Sequence, residues 1–289
     1  GSYKEEGNVE RPEHRMRFKA AVKSSFAAFT VMTRTAKRRR LNGVAQTVVD
    51  DLKSQGDATI AAHSQGFFQT AKGQYGEGDV FLGIRVPQIR AAVKKFKVDL
   101  PTATELLDSQ YHEVRFFAVA SLVALYPKDQ EAVYDAYLAS PGINNWDLVD
   151  VSAPHVVGKY LLTEKDDPAA EAVLDGLAAS DDLWKRRIAV LATFAFIKDG
   201  KFRHTLRLCE TLRDDDHDLI HKATGWAIRE VGKKDLAAAS AFLDDHAAVM
   251  PRTMLRYALE HFPKDLRATY MAAAKKKKDE DAESSSSSS

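Results

Sequence analysis

Trp146 and Asp150 lie four residues apart in Asn145-Trp146-Asp147-Leu148-Val149-Asp150. On a helix, that spacing puts an indole and a carboxylate on one face. Further along, Trp184-Lys185-Arg186-Arg187 and Thr224-Gly225-Trp226-Ala227-Ile228-Arg229 supply guanidinium groups and another indole. The intervals are close to the length of one helix pair, so stacked helices would bring these side chains to a shared surface. Such a surface suits a nucleic-acid substrate with an added positive charge. Indole faces attract a cation, a carboxylate balances it, and arginines hold phosphates. An Asp inside an apolar helix also has to pair, cap or face a groove, because burying it alone is costly.

Other residues that could do chemistry have plainer readings. Trp184, beside Leu183 and Ile188, reads as a packing residue. Asp147 reads as a cap after Asn144-Asn145. His217 and His221 have a metal-binding spacing, but a protease-type glutamate and a third ligand are missing, and Asp214-Asp215-Asp216 reads as an N-terminal cap. Cys209 shares an apolar register with Leu206 and Leu212 and reads as core. Neither a metal nor a cofactor is called for. The glycines of Gly73-Gln74-Tyr75-Gly76-Glu77-Gly78-Asp79 mark a loop; a phosphate cradle there lacks the P-loop pattern and a preceding strand.

The elements that must position these residues are helices. With 289 residues, 45% of them hydrophobic and 29% charged, the chain has the balance of an ordinary globular protein. Its 42 basic and 41 acidic side chains leave a net charge of only +1, so any electrostatic footprint has to come from local clustering. A single cysteine excludes an internal disulfide and points to a reducing compartment. No apolar run approaches the length of a membrane span.

Three regions are expected. Residues 1–43 form a basic extension: between Arg11 and Arg40 there are ten Lys or Arg and one acid, Glu13. It reads as an organelle transit segment, with Met16 or Met32 as possible starts, as a nuclear signal at Lys37-Arg38-Arg39-Arg40, or as a basic helix that docks on the domain or on DNA. An intracellular location follows, nuclear or organellar if the source is eukaryotic and cytoplasmic otherwise. Residues 44–274 hold the domain proper, opening on the stripe Val44, Val48, Val49 and Leu52. The rest repeats at about 35 residues with two helices per unit, which predicts an all-α HEAT-like solenoid whose inner helices line a concave groove. Asp150, Arg187 and Lys222 recur at corresponding edges of successive units. The last helix is expected to end near Ala274, and 275–289 to form a disordered tail of lysines, acids and serines.

From about Phe67 to Phe262 the chain resembles the AlkD-like family of HEAT-repeat DNA glycosylases. The resemblance is carried by Phe67-Phe68 with Gly73 to Asp79, Phe81-Leu82-Gly83-Ile84-Arg85-Val86-Pro87, Asn145 to Asp150, Trp184 to Arg187, and Lys222 to Glu230. It implies excision of positively charged N3- and N7-alkylated purines from duplex DNA while the lesion stays stacked. It further implies Asp150 as the catalytic carboxylate, Trp146 and Trp226 as lesion-facing indoles, and Arg187 as a phosphate contact. Arg229, Arg186 and Lys222 are further candidate DNA-binding residues. The expected partner is alkylated duplex DNA, with the protein acting as a monomer and no membrane involved. The alternative is a non-catalytic HEAT-repeat module that reads DNA structure or binds a protein, against which Asp150 stands, since a phosphate reader gains nothing from a carboxylate.

Overall fold

Aspartate and asparagine side chains open most of the helices, and their spacing sets the architecture. The computed structural model describes residues 41–286, with side chains described through 275 and at 277. Asn42 caps α1 (Gly43–Ser54), Asp57 caps α2 (Ala58–Phe67) and Asp99 caps α4 (Leu100–Leu107), each accepting from N–H groups of the first turn that have no partner within the helix. Asp129, Asp166 and Asp235 do the same for α6 (Gln130–Ala139), α9 (Asp167–Ala178) and α13 (Leu236–His246). Between α2 and α4, α3 (Val86–Phe96) starts with Pro87 in its first turn.

The inner helices are α5 (His112–Leu125), α7 (Trp146–Ser152), α10 (Leu183–Lys198), α12 (Asp218–Lys234) and α14 (Arg252–Ala258). Their first residues recur near the 35-residue interval, and each packs on the next: α5 on α7, α7 on α10, α10 on α12, α12 on α14. The outer helices α4, α6, α9, α11 (Arg203–Thr211) and α13 alternate with them. The fold is therefore the all-α HEAT-like solenoid expected. The described residues contain no strand, only an isolated bridge between Val80 and Tyr111. None of their helices is long and apolar enough to cross a membrane.

α7 does not end cleanly. It runs through Ala153 into a π-helical turn, Pro154–Gly158, and on into α8 (Lys159–Glu164). Pro154 has no N–H to give to the carbonyl four residues back, which is that of Asp150, so the α-helical ladder is broken there. The Gly158 N–H instead reaches the Ala153 carbonyl at 2.8 Å, five residues back.

Two expectations change. Val44 is 52% exposed, and Ala45, fully buried, takes its place in the α1 stripe with Val48, Val49 and Leu52. The final helix, α15, runs Lys264–Ser286, past Ala274. From Lys275 to Ser286 the stretch has four Lys, two Glu and one Ala, all strong helix formers, beside two Asp and three Ser, and the helix formers outweigh its low apolar content. Residues 287–289, and the readings of residues 1–40 as a targeting or docking segment, lie outside the described residues.

A close helix approach in the repeat stack lies at Gly225, one residue before Trp226. A Cβ built there would lie 2.4 Å from the Met254 carbonyl oxygen and 2.6 Å from Tyr257 Cβ. The backbone oxygen cannot move aside without parting α12 from α14. Gly225→Ala is expected to cost about 1–3 kcal/mol of stability through overpacking, read as a melting temperature lowered by several degrees.

Candidate functional site

Asp150 sits one turn into α7 and meets Arg187 from the matching turn of α10. The contact is a two-pronged fork: Arg187 Nε donates to Asp150 Oδ1 at 2.8 Å and Nη2 to Oδ2 at 2.8 Å. The remaining terminal nitrogen, Nη1, donates to the Leu219 carbonyl at 2.6 Å in the first turn of α12. One guanidinium thus ties three successive inner helices together. The Asp150 side chain keeps 15% exposure and that of Arg187 only 6%, so the carboxylate is the member with an edge open to solvent. Burial pushes the Asp150 carboxyl above its usual value, while the hydrogen bonds and charge of Arg187 pull it back. A bidentate guanidinium is a strong and geometrically specific partner for a carboxylate, and it favours the ionised form of Asp150 against the burial that opposes it.

Trp146 begins α7, with Asn145 as its N-cap. Its indole stacks on Phe68 at 5.2 Å and 15°, with Phe67 edge-on at 5.9 Å. Phe68 in turn packs on Phe81 at 5.0 Å and on His112 at 4.8 Å. The indole Nε1 donates to Tyr75 Oη at 3.3 Å. Tyr75 also meets the edges of Trp184 and His217, so the glycine-containing loop straps the first turns of α7, α10 and α12. Phe67 is 59% exposed and stands at the mouth of this aromatic wall.

Glu113 holds the far end of the loop. Its buried carboxylate accepts from the N–H groups of Leu82, Gly83 and Ile84 at 2.8 to 3.2 Å. Gly83 has φ of +81°, and a Cβ there would lie 2.0 Å from the Asp57 carbonyl oxygen, so no other residue fits.

Trp226 lies further along the groove. Its ring meets Phe194 edge-to-face at 4.8 Å, and Phe194 lies two turns beyond Arg187 on α10. Its Nε1 donates to Glu230 at 3.0 Å, and the Arg229 guanidinium stands 5.8 Å from the ring centre. The structure therefore joins Asp150 to Arg187 directly, sets Trp146 one turn before Asp150, and links Trp226 to them through Phe194.

The cations correct the sequence reading most. In place of a solvent-facing phosphate ligand, Arg187 is the buried partner of Asp150. Arg186 is clamped by Asp215 (Nε to Oδ2 2.6 Å) and by the carbonyls of Ser180 and Asp181. Lys222 pairs with Asp218 one turn back at 2.8 Å, and Arg229 pairs with Glu260 and Glu230. The line of polar edges is real in register, but each cation in it already holds a carboxylate. Asp147 is not the N-cap of α7, which is Asn145; its Oδ1 accepts from the first-turn Leu148 N–H at 2.8 Å, while its Oδ2 lies 2.8 Å from His112 Nε2. His217 is the N-cap of α12, accepting from Leu219 N–H through Nδ1 at 3.1 Å, a role expected of the acidic run before it. Cys209 is fully buried, and Trp184 is packed as expected.

Phe67, Phe68, Tyr75 and His112 entered the sequence reading only as motif or loop residues, if at all. The signal that finds Arg187 is register: Asp150 and Arg187 occupy the same place, the fifth residue, in adjacent inner helices.

A family model described as DNA alkylation repair enzyme matches residues 48–262. No curated protein matches the chain. Among solved structures, the chain is similar to a predicted DNA alkylation repair enzyme from Enterococcus faecalis, at a TM-score of 0.61 and 16% identity over 73% of this chain and 98% of that one. It is also similar to AlkD2 from Streptococcus mutans, at a TM-score of 0.46 and 18% identity over 75% of this chain and 98% of that one.

Proposed function

From the premise that this chain belongs to the DNA alkylation repair enzyme family, the AlkD-like proteins, we propose that it is a DNA glycosylase hydrolysing the N-glycosidic bond of positively charged N3- and N7-alkylated purines in duplex DNA. The observation that carries the reading is the Asp150–Arg187 fork, with the carboxylate edge open to solvent one turn from the Trp146 indole.

An alkylated purine with a formal positive charge leaves without a proton from the enzyme. The difficulty moves to the sugar, which gains positive charge as the base departs. A fixed carboxylate beside the anomeric carbon stabilises that charge by about 4 kcal/mol at 4 Å and an effective dielectric of 20. In this scheme Asp150 supplies the charge, and Arg187 holds its two oxygens in place so that little reorganisation is needed in the transition state. The Trp146 and Trp226 faces meet the cationic base and sugar, and the lesion stays stacked because a shallow groove offers no deep pocket for an everted base. Phosphates would be gripped by cations that exchange their present carboxylate partners, with Arg229, Lys222 and Arg186 as the candidates. The protein acts as a monomer in this scheme.

Incubation with methylated duplex DNA, followed by chromatography of released bases, tests the reading. Release of N7-methylguanine or N3-methyladenine supports it; intact bases under conditions where the duplex is bound would leave a non-catalytic DNA reader. Trp226→Leu keeps an apolar side chain against Phe194 but removes the indole face. It is expected to slow single-turnover excision by about 2- to 30-fold, the range of a cation–π contact of about 0.5 to 2 kcal/mol.

A further inference from the structure

Behind the Trp146 indole lies a chain of buried charges that the proposed chemistry does not use. His112, the first residue of α5, is 2% exposed. Its Nε2 lies 2.8 Å from Asp147 Oδ2 on α7, and its Nδ1 lies 3.4 Å from Asp79 Oδ2 in the strap loop. Asp79 Oδ1 is in turn 2.7 Å from Arg115 Nη2, and Asp79 Oδ2 accepts from the side-chain amide of Asn145, the α7 cap, at 3.4 Å. Charges of alternating sign therefore run Asp147, His112, Asp79, Arg115 through the interior. Aromatic rings close the other sides: Phe81 stacks on the imidazole at 4.6 Å and Phe68 leans on it at 4.8 Å.

We propose that His112 is a positioning residue of the site: bridging Asp147 and Asp79, it locks the strap loop to the first turn of α7 and thereby fixes the Trp146 face and, one turn on, the Asp150 carboxylate. Only the cationic ring can do this. An imidazolium donates from both nitrogens, whereas a neutral imidazole has one donor and one acceptor and would turn a lone pair toward one carboxylate. A buried carboxylate facing an acceptor is left with an unmet desolvation cost. The imidazolium also lies within cation–π distance of the Phe68 ring, which stacks on Trp146. Loss of the charge would loosen both ends of the Trp146 wall together.

The groups around the ring set the pH at which this happens. Burial works against the imidazolium, but the charge of Asp147 and the hydrogen bonds to Asp147 and Asp79 outweigh it and raise His112 to about 9, with Arg115 opposing. Burial also works to raise the Asp79 carboxyl, and the His112 bond together with the Arg115 charge overcomes it, leaving Asp79 below its usual value. Because the folded His112 value is raised, its contribution to stability is complete below the unfolded imidazole value of about 6.5 and is lost as pH rises through about 9.

The catalytic half of this inference rests on the glycosylase reading; the structural half does not. The test uses the full chain. Single-turnover excision from methylated duplex is followed from about pH 6 to about pH 10, a span bracketing the ordinary imidazole value. In the unsubstituted protein the rate should fall by about tenfold or more as pH passes about 9. His112→Gln should be slower by about tenfold at neutral pH, with duplex affinity retained and the alkaline limb gone. Tyr75→Phe, which removes the hydroxyl that accepts from the indole, should keep the limb. In parallel, Trp184→Phe/Trp226→Phe leaves Trp146 as the sole indole. Its emission should change across the same pH range and stop changing when His112→Gln is added. A His112→Gln protein that melts lower but excises at the normal rate per folded molecule would overturn the proposal, as would a limb that survives the substitution. If no base is released even by the unsubstituted protein, the glycosylase reading fails, and the emission titration still decides whether His112 sets Trp146. If His112→Gln does not fold, a flat emission titration of the sole-indole protein would overturn the proposal by itself.

Discussion

Asp150→Asn is expected to lower single-turnover excision of N7-methylguanine or N3-methyladenine by at least about tenfold, since about 1.4 kcal/mol of lost transition-state stabilisation has that effect. The amide keeps the size of the side chain and can still accept one hydrogen bond from Arg187, but it removes the charge proposed to stabilise the sugar. Affinity for intact duplex should hold or tighten, because a negative charge leaves a groove meant for phosphates and Arg187 becomes freer to meet them. Stability should also fall, since half of the fork to Arg187 is lost. The rate must therefore be taken per folded molecule, below the melting range of both proteins. Normal excision per folded molecule would remove Asp150 from the mechanism and leave it a structural tie.

The second large effect is expected at Arg187. Arg187→Ala strands Asp150 in a site with 15% exposure and also leaves the Leu219 carbonyl without this donor. Removing one member of a buried pair costs about 3–5 kcal/mol, so the melting temperature should fall by about 10 °C and excision should fall with it. Arg187→Lys separates the roles: a lysine keeps the charge but cannot fork or reach two partners at fixed angles. Its stability loss should be smaller while excision remains depressed, because the carboxylate is no longer held by both oxygens. The double variant Asp150→Asn/Arg187→Ala should melt above the level given by adding the two single losses, since each single change leaves the other residue stranded. Strict additivity, read by thermal melts of all four proteins, would mean that the pair is not coupled.

Much of this site was legible in the sequence, for reasons that can be stated residue by residue. The four-residue spacing of Trp146 and Asp150 is local, and a helix has only one way to express it. The 35-residue recurrence placed Asp150, Arg187 and Lys222 at matching edges, which is where they stand. The requirement that an Asp in an apolar helix must find a partner was also met, though by a residue assigned elsewhere. Arg187 was read as facing phosphate because its distance to Asp150 is set by how deeply α7 and α10 pack, which no local pattern records. The same limit hid the contact between His112 and Asp147, residues on α5 and α7 that meet only when the repeats stack. Asp147 looked like a cap because it follows two asparagines, and Asn145 took that position first. The strap was visible as a loop from its glycines, but not that Tyr75 would cross three helix ends.

The π-helical turn after Asp150 acts as a phase correction. The inward-facing residues of this stretch come in pairs every four positions: Leu148 and Val149, Ser152 and Ala153, Val156 and Val157, Tyr160 and Leu161, all buried. At about 100° per residue, a step of four overshoots a full circle by about 40°, so three such steps would carry the stripe about 120° around a regular α-helix. One extra residue in a single turn takes back about 100° of that drift. The wide turn thus lets one helical rod keep a straight buried seam along its length while Trp146 and Asp150, upstream of it, retain their own bearing toward the groove. Length in the segment from Asp150 to Gly158 is in effect an angular setting. A one-residue deletion there would leave every side chain in place by type and rotate the seam at Tyr160 by about a quarter turn relative to the carboxylate.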